Sequence, residues 1–140
     1  MAKLQHKLRH LAISVPDVAA AQKFFEEAFG MVKAGEGGSG VHMTDGVMNV
    51  ALLKFRNKIT VGNSDEAYYG PAHFGMWVDN IADAEKQAIE AGAVHLQGRP
   101  PEDGTRNKPF YEVKYRSPHG LVFDLTESGW AGAVKQVKPA

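Results

Sequence analysis

The chain carries the same pattern twice, and this internal repeat constrains its fold more than any other feature of the sequence. The stretch LRHLAISVPDVAAAQKFFEEAFG begins at Leu8, and the similar stretch PAHFGMWVDNIADAEKQAIEAGA begins at Pro71. In each stretch, alternation typical of a strand leads to an Asp or Asn suited to cap a helix. Apolar residues at helical spacing and a terminal glycine follow. Such self-similarity indicates one supersecondary unit that is repeated.

Short extended segments follow each helix, so that each half has the order βαβββ. The first half predicts one helix among four strands, over residues 8–16, 18–29, 31–35, 40–44 and 47–56. The second half predicts the same over residues 72–80, 81–93, 93–97, 110–116 and 121–126. We therefore expect a single α+β domain over residues 1–140. Its parts are module one (about 8–56), a linker (about 57–71), module two (about 72–130) and a loose C-terminal tail.

The charge balance narrows the classes of partner. The sequence has 16 Lys and Arg residues and 16 Asp and Glu residues, so its formal net charge is zero. Nucleic acids and acidic membranes attract an excess of positive charge, so we expect neither as a partner. The chain has no cysteine, no apolar run of membrane-spanning length and no signal-peptide pattern. These features together favour a small molecule or another protein as the partner, and a cytoplasmic location.

Two histidines and one aspartate stand out as candidates for chemistry. His10 and His73 occupy the same place in the first strand of each module, which packing alone does not readily explain. Asp124 lies in the apolar segment LVFDLTE, where an unpaired buried carboxylate would be costly. Two histidines and a carboxylate on three strands are the ligands of a facial triad. Such a triad leaves positions open on a divalent metal ion for the oxygens of a substrate.

The repeated βαβββ pattern, the paired histidines, the SPHG turn and the LVFDLTE segment resemble the vicinal oxygen chelate superfamily over about residues 8–130. This superfamily includes glyoxalase I, methylmalonyl-CoA epimerase, fosfomycin-resistance thiol transferases, extradiol dioxygenases and bleomycin-resistance proteins. The resemblance implies two βαβββ modules that form an open eight-stranded cup. It also implies a divalent metal ion (Fe, Mn, Ni or Zn) held by His10, His73 and Asp124. We further expect a homodimer, because a second copy commonly covers the exposed sheet edges of such cups.

The sequence departs from the family pattern at three positions. Asp124 replaces the usual glutamate, and Ala51 stands most nearly at the fourth-ligand position of glyoxalase I and the epimerase. Asn49, two residues earlier, is a poor substitute for that ligand. Lys114 stands where extradiol dioxygenases carry a tyrosine, and their second histidine has no counterpart here. The three-ligand pattern best resembles the fosfomycin-resistance enzymes, although their phosphonate-binding residues are not recognisable in this chain.

Other side chains are candidates for substrate binding and acid–base chemistry. Trp77 shares a strand face with His73. Three cations in or beside the loop GRPPEDGTRNKPF could hold an anionic substrate, with solvated charge as the alternative; they are Arg99, Arg106 and Lys108. The candidate catalytic residues are Glu112, Tyr115 and His119.

These features predict a divalent-metal-dependent enzyme whose small oxygenated substrate chelates the metal. Lyase, isomerase, transferase and dioxygenase reactions all remain open. The alternative is a metal-free small-molecule binding protein of the bleomycin-resistance type, which would present an acidic, aromatic groove, whereas the loop charges here are basic. A third possibility is a structural or regulatory module whose pocket is filled by side chains.

Overall fold

Eight strands lie in one mixed sheet with two helices in the computed structural model, which describes residues 4–37, 39–54, 69–98 and 109–138. The first module contains β1 (Lys7–Val15), α1 (Val18–Phe29), β2 (Val32–Gly37), β3 (Gly40–Thr44) and β4 (Asn49–Lys54). The second contains β5 (Gly70–Trp77), α2 (Ile81–Glu90), β6 (Val94–Gln97), β7 (Val113–Arg116) and β8 (Val122–Thr126). Each half therefore has the predicted βαβββ order.

The strand order across the sheet is β2-β3-β4-β1-β5-β8-β7-β6. Within each module the first strand pairs in parallel with the last, and the other neighbours are antiparallel. The modules meet where β1 and β5 pair antiparallel. The sheet does not close on itself, because β2 and β6 are its two edges. The predicted open eight-stranded α+β fold is confirmed.

Local sequence signals set the helix ends. Asp17 caps α1 by accepting a hydrogen bond from the Ala20 backbone N–H (3.0 Å), and Gly30 ends it in the left-handed conformation (φ 67°). α1 therefore has the predicted bounds. Asn80 caps α2 in the same way through the Asp83 N–H (2.9 Å). α2 ends at Glu90 rather than at residue 93, where the predicted helical segment ends. Ala91 is the C-cap, and the positive φ of Gly92 (105°) directs the chain away from the helix.

Several strands also differ in extent from the prediction, most clearly β5 and β7. β5 begins at Gly70, inside the predicted linker, most of which lies outside the described residues. β7 begins at Val113 rather than at residue 110. The cause is Phe110, whose φ of 57° is incompatible with an extended strand.

Apolar side chains from alternate strand positions pack under the helices in two clusters, one for each module. The buried members under α1 are Val41, Met43, Val50 and Leu52. Those under α2 include Val78, Ile81, Val113, Tyr115 and Leu125. Because side chains alternate along a strand, the intervening residues project from the opposite face of the sheet. Neither described helix has the length and apolar character needed to span a membrane.

Gly40 provides a test of the close packing between β3 and β4. A methyl group at Gly40 would lie 1.9 Å from the carbonyl oxygen of Leu52, whereas one at its ladder partner Gly37 would meet nothing within 4 Å. We therefore expect Gly40→Ala to lower the free energy of unfolding by about 1–3 kcal/mol. Gly37→Ala should change it by less than about 0.5 kcal/mol. Urea denaturation measures both, and equal effects would contradict the packing described.

Candidate functional site

Strand register aligns polar side chains in a row across the face of the sheet that the helices leave uncovered. His10 on β1 lies beside Asn49 on β4 and beside Gly75 on β5. Gly75 lies beside Asp124 on β8, and Asp124 beside Lys114 on β7. His73 is two residues before Gly75 on β5 and therefore shares this face. The row crosses the boundary between the modules.

His10, His73 and Asp124 lie together at the centre of this row. The Asp124 Oδ2 atom is 3.2 Å from His73 Nε2 and 3.6 Å from His10 Nε2. One ligand atom from each of the three residues lies within 4.8 Å of the others. All three residues are buried, with exposed fractions of 3%, 6% and 0%, respectively. The sequence prediction that these residues converge agrees with this geometry.

A chain of hydrogen bonds fixes which ring nitrogen of His10 carries the proton. The Ala131 carbonyl can only accept, so the Asn49 amide group (Nδ2) donates to it (2.8 Å), and its Oδ1 atom faces the other way. Oδ1 lies 2.6 Å from His10 Nδ1 and can only accept, so Nδ1 carries a proton. In a neutral imidazole, the Nε2 atom then presents a lone pair. That lone pair is directed towards Asp124.

The His10 ring is neutral at neutral pH. Burial lowers the pKa of His10 to about 4, although the charge of Asp124 and the hydrogen bond to Asn49 oppose this change. Burial alone would raise the pKa of Asp124, but contact with His73 and the charge of Lys114 outweigh it and lower the pKa to about 2. Asp124 is therefore a carboxylate. Its Oδ2 atom has no hydrogen-bond partner within the described residues.

Lys114 occupies the other oxygen of the same carboxylate. Its Nζ atom donates to Asp124 Oδ1 at 2.6 Å and lies 3.9 Å from Glu112 Oε1. Burial lowers the pKa of Lys114, but the charges of Asp124 and Glu112 outweigh burial and the pKa is raised. The ammonium group therefore stays charged, and it leaves only Oδ2 of Asp124 available to another cation.

Trp130 lies against His10 and links it to a second carboxyl group. The two rings are stacked, with centroids 4.7 Å apart and an interplanar angle of 10°. Gly75 makes room for the indole, since a methyl group there would lie 2.5 Å from two of its ring carbons. The indole N–H donates to Glu112 Oε2 at 2.7 Å.

A cavity of about 320 Å³ opens onto this cluster. Its walls come from both modules and include His10, His42, His73, Glu112, Lys114 and Trp130. A smaller cavity of about 170 Å³ has walls from module two, Gln97, Gly98, Glu112, Lys114 and Asp124. The two cavities share Gln97, Glu112 and Lys114, so these three side chains can contact a molecule bound beside the cluster.

The remaining candidates from the sequence lie elsewhere, except Glu112. Tyr115 is in the core under α2, where its hydroxyl group donates to Glu85. His119 is exposed in the turn between β7 and β8. Trp77 donates its indole N–H to the Glu127 carbonyl (3.1 Å), and it is not part of either cavity wall. Three cations lie outside the described residues, namely Arg99, Arg106 and Lys108.

Sequence reasoning missed the roles of Asn49, His42 and Trp130. Asn49 was considered only as a substitute ligand, whereas its amide bonds His10 Nδ1 and also donates to His42 Nδ1 (3.0 Å). Ala51, at the fourth-ligand position, is a buried residue in the cavity wall. The sequence points to Trp130 only through Gly75, two residues after His73. That this glycine leaves room for the Trp130 ring can be recognised only once the fold is known.

Comparison with known proteins agrees with this architecture. The family model described as the Glyoxalase/Bleomycin resistance protein/Dioxygenase superfamily matches residues 9–111. Among solved structures, the hypothetical protein BH1468 from Bacillus halodurans C-125 has a TM-score of 0.64 at 16% identity, over 96% of this chain and 99% of that one. A methylmalonyl-CoA epimerase has a TM-score of 0.61 at 18% identity, over 90% and 97%.

A larger enzyme also contains this fold. The 2,3-dioxygenase LapB from Pseudomonas sp. KL28 has a TM-score of 0.62 at 17% identity, over 96% of this chain but 45% of that one. Identities this low establish a common fold only. A search of curated proteins found no match. Because the family model matches well over half of the sequence and the fold agrees with it, the chain belongs to the Glyoxalase/Bleomycin resistance protein/Dioxygenase superfamily.

Proposed function

We propose that the protein is a divalent-metal-dependent enzyme in which His10, His73 and Asp124 hold the metal ion. The substrate is a small oxygenated molecule that binds in the adjoining cavity through its oxygens. The family membership established above does not identify a site, and this proposal adds one. Lyase, isomerase, transferase and dioxygenase reactions are all compatible with it.

The observation that carries the proposal is a pair of buried acceptors that face each other without a proton between them. His10 Nε2 presents a lone pair because its proton is on Nδ1, and Asp124 Oδ2 is an ionised oxygen 3.6 Å away. Two acceptors at this distance in a buried site repel each other unless a cation lies between them. The contact is thus best satisfied by a bound metal ion.

The spacing and chemistry of the donors fit such an ion. Donor atoms about 2.0–2.2 Å from one ion, at tetrahedral or octahedral angles, are roughly 2.8–3.6 Å apart. The contacts of Asp124 Oδ2 with His73 and His10, 3.2 and 3.6 Å, fall in this range. Two imidazoles and one carboxylate suit Fe(II), Mn(II), Ni(II) or Zn(II). Bound there, the ion would supply Lewis-acid polarisation of a substrate oxygen.

The chain's own residues would orient the substrate and control charge. Lys114 limits Asp124 to ligation through one oxygen and adds a positive charge beside the cavity, which favours an anionic ligand. Trp130 restricts the motion of the His10 ring. We retain the proposal that three cations outside the described residues, Arg99, Arg106 and Lys108, contact an anionic group of the substrate. Trp77 is not retained as a substrate contact.

Trp130 offers a direct measurement of metal binding. The chain has two tryptophans, so Trp77→Phe leaves Trp130, which stacks on a proposed ligand, as the single indole. In this background Co(II) should quench the emission with saturation at one equivalent. Loss of the hydrogen-bond partner of a metal ligand typically lowers metal affinity roughly 10–100-fold. His73→Ala removes a proposed ligand itself, so it should lower the Co(II) affinity by more than this. His119→Ala, which removes an exposed imidazole, should leave the affinity unchanged.

Two results would contradict the assignment. Absence of saturable quenching by Co(II), Ni(II), Mn(II) or Fe(II), together with absence of Zn(II) binding by calorimetry, would remove the metal from the proposal. Equal loss of affinity in His73→Ala and His119→Ala would show that the titration reports adventitious surface sites.

Asn49 should affect metal affinity without touching the metal. Asn49→Leu removes the acceptor for His10 Nδ1–H, so both tautomers become accessible and we expect the Co(II) affinity to fall roughly 10–100-fold. Asn49→Asp keeps an acceptor at that position and adds a negative charge, so it should retain much more of the affinity than Asn49→Leu. Equal losses in the two variants, at equal stability by urea denaturation, would mean that the hydrogen bond does not orient His10.

The alternative function is a metal-free binding protein of the bleomycin-resistance type. One observation favours it, namely that Lys114 already neutralises part of the Asp124 charge. The ion pair leaves Oδ2 without a hydrogen bond, however. Three histidines and a lysine line the cavity, and Glu112 and Trp130 are the acidic and aromatic members of the part of its wall named above. The metal titration above separates the two functions.

We also propose that the protein is a homodimer and that it works in the cytoplasm. The outer surface of α1 and the edge strand β2 carry three exposed apolar side chains, Phe24, Phe29 and Val32, with exposed fractions of 56%, 61% and 59%. A second copy would cover this surface and the free edge of β2. A chain without cysteine forms no disulfide, which is consistent with a reducing compartment.

Light scattering on a sizing column tests the dimer. The wild-type protein should elute with about twice the 15.2 kDa mass of the chain. Phe24→Glu combined with Phe29→Glu should yield monomers, because it places charges in the proposed interface. Ile89→Glu changes a similarly exposed residue on α2 and should leave the dimer intact. A monomeric wild-type protein, or a dimer that survives the double substitution, would refute the proposed interface.

A further inference from the structure

We propose that the part of the cavity beside β3 is a distinct ligand subsite, in which His42 donates a hydrogen bond from its Nε2–H group to an uncharged acceptor on the ligand. The acceptor is a carbonyl oxygen, an ether oxygen or an aromatic ring nitrogen on an otherwise apolar part of the molecule. The inference deepens the proposed function, because it concerns the same cavity, but it does not require the metal ion.

His42 projects from the face of the sheet that the helices leave uncovered. Its neighbours on β3, Val41 and Met43, are buried in the cluster under α1, so the alternation of side chains directs the imidazole to the other side. There the half-buried ring forms part of the wall of the cavity of about 320 Å³. Among the residues that the structure describes, its hydrogen-bond partner is Asn49, at Nδ1. The Nε2 atom is therefore available to a ligand.

The Asn49 amide sets the position of the proton on His42. The Nδ2 group of Asn49 has two hydrogens, of which one is donated to the Ala131 carbonyl (2.8 Å) and the other to His42 Nδ1 (3.0 Å). Because Nδ1 accepts this bond, the proton of a neutral ring is on Nε2. Burial lowers the pKa of His42 below its ordinary value, so the ring is neutral at neutral pH. His42 is thus a hydrogen-bond donor without a charge.

The same amide gives two histidines opposite roles in the cavity. His10 donates from Nδ1 to Asn49 Oδ1 and presents a lone pair at Nε2, whereas His42 accepts at Nδ1 and presents an N–H group at Nε2. A lone pair suits a cation, and an N–H group suits an acceptor atom. One end of the cavity therefore fits the proposed metal ion, and the other fits an acceptor on the ligand.

Small side chains separate His42 from the proposed metal ligands. His42 lies beside Ala51 on β4. Ala51 lies beside Ala12 on β1, and Ala12 lies beside His73 on β5. β3 and β1 are two strand spacings apart, which is about 10 Å. Because Ala51 replaces the longer side chain of a fourth ligand, this space is left to the bound molecule, whose acceptor must lie several bonds from the oxygens that bind the metal.

The wall around His42 carries no charged side chain among its described residues, which are Gly37, Ser39, Gly40, His42, Ala51 and Leu53. The charged members of the cavity wall, Glu112 and Lys114, belong to module two. A charged group beside β3 would lose hydration without an opposite charge to replace it. This side of the cavity therefore favours a neutral acceptor on an apolar body.

The proton positions can be observed directly. In protein labelled with 15N in its histidine rings and freed of metal by a chelator, long-range proton–nitrogen correlation NMR distinguishes protonated from unprotonated ring nitrogens. At neutral pH we expect the proton on Nε2 of His42 and on Nδ1 of His10, with the signals assigned by their loss in His42→Gln and His10→Gln. Asn49→Leu should convert both rings to mixtures of tautomers. A proton on Nδ1 of His42 in the wild-type protein would overturn the inference.

Binding is tested with 4-fluoroacetophenone and 1-ethyl-4-fluorobenzene, which have similar shapes and differ in the carbonyl oxygen. Fluorine NMR titrations of the metal-free protein should show tighter binding of the ketone. His42→Leu should weaken ketone binding by roughly 2–10-fold, the contribution of one neutral hydrogen bond, without weakening binding of the ethyl compound. His42→Gln keeps a donor and should retain more of the preference for the ketone. His119→Leu, which removes an exposed imidazole, should bind both compounds as the wild-type protein does.

The outcomes separate the subsite from the metal site. An equal preference for the ketone in the wild-type protein and in His42→Leu, or a lack of saturable ketone binding by the wild-type protein, would overturn the subsite even where the metal titration succeeds. A preference that depends on His42, in a protein that binds no metal, would support the subsite and overturn the proposed function.

Discussion

The antiparallel pairing of β1 with β5 is the contact on which the rest of the site depends. Each module alone supplies one histidine at the middle of its first strand, on the face away from its helix. Pairing the two first strands places His10 opposite Gly75 and Ala12 opposite His73, which brings the two imidazoles to a centroid distance of 5.4 Å. β8 follows β5 in the sheet and adds Asp124. The cluster therefore lies at the junction of the modules.

Burial on this face would be unfavourable without directed hydrogen bonds, because every side chain in the cluster is polar. The side-chain amide of Asn49 provides three of these hydrogen bonds, to His10, His42 and the Ala131 carbonyl. Lys114 provides another, to Asp124 Oδ1. Within the part of the chain that the structure describes, Asp124 Oδ2 and Ser14 Oγ are the buried side-chain atoms without a hydrogen-bond partner, and Oδ2 is the anionic one of the two.

The sequence was sufficient for the features that depend on local pattern and on the repeat. The bounds of α1, the βαβββ order and the pairing of His10 with His73 follow from periodicity, capping residues and the equivalence of the two modules. The grouping of these histidines with Asp124 is what the family resemblance implies. Asn49 could not be assigned, because its role requires the register between β1 and β4. The contact of Trp130 with His10 is not predictable for a related reason. Trp130 follows the last predicted strand, and only the folded chain brings it against His10.

Trp77 and Phe110 show two other limits of sequence reasoning. Trp77 shares a strand face with His73, as predicted, but its indole packs against Gly129 at the end of the sheet rather than beside the cavity. The alternation of side chains along a strand predicts the face of the sheet from which a side chain projects. It does not predict whether that side chain lies beside the cavity or at the end of the sheet. Phe110 interrupts an otherwise strand-like segment with a positive φ, which no local pattern in its vicinity indicates.

The segment after β8 returns to the first module, and this path has a consequence for the order in which the site forms. Gly132 accepts a hydrogen bond from Thr44, Val134 donates to the carbonyl of Val47, and Ala131 orients Asn49. The hydrogen bonds that orient His10, near the start of the chain, are thus completed by residues near its end. During synthesis from the N-terminus, the first module can fold early. Its histidine acquires its final orientation only after Ala131 has left the ribosome, so a nascent chain that is shorter than this does not present the oriented cluster of His10, His73 and Asp124.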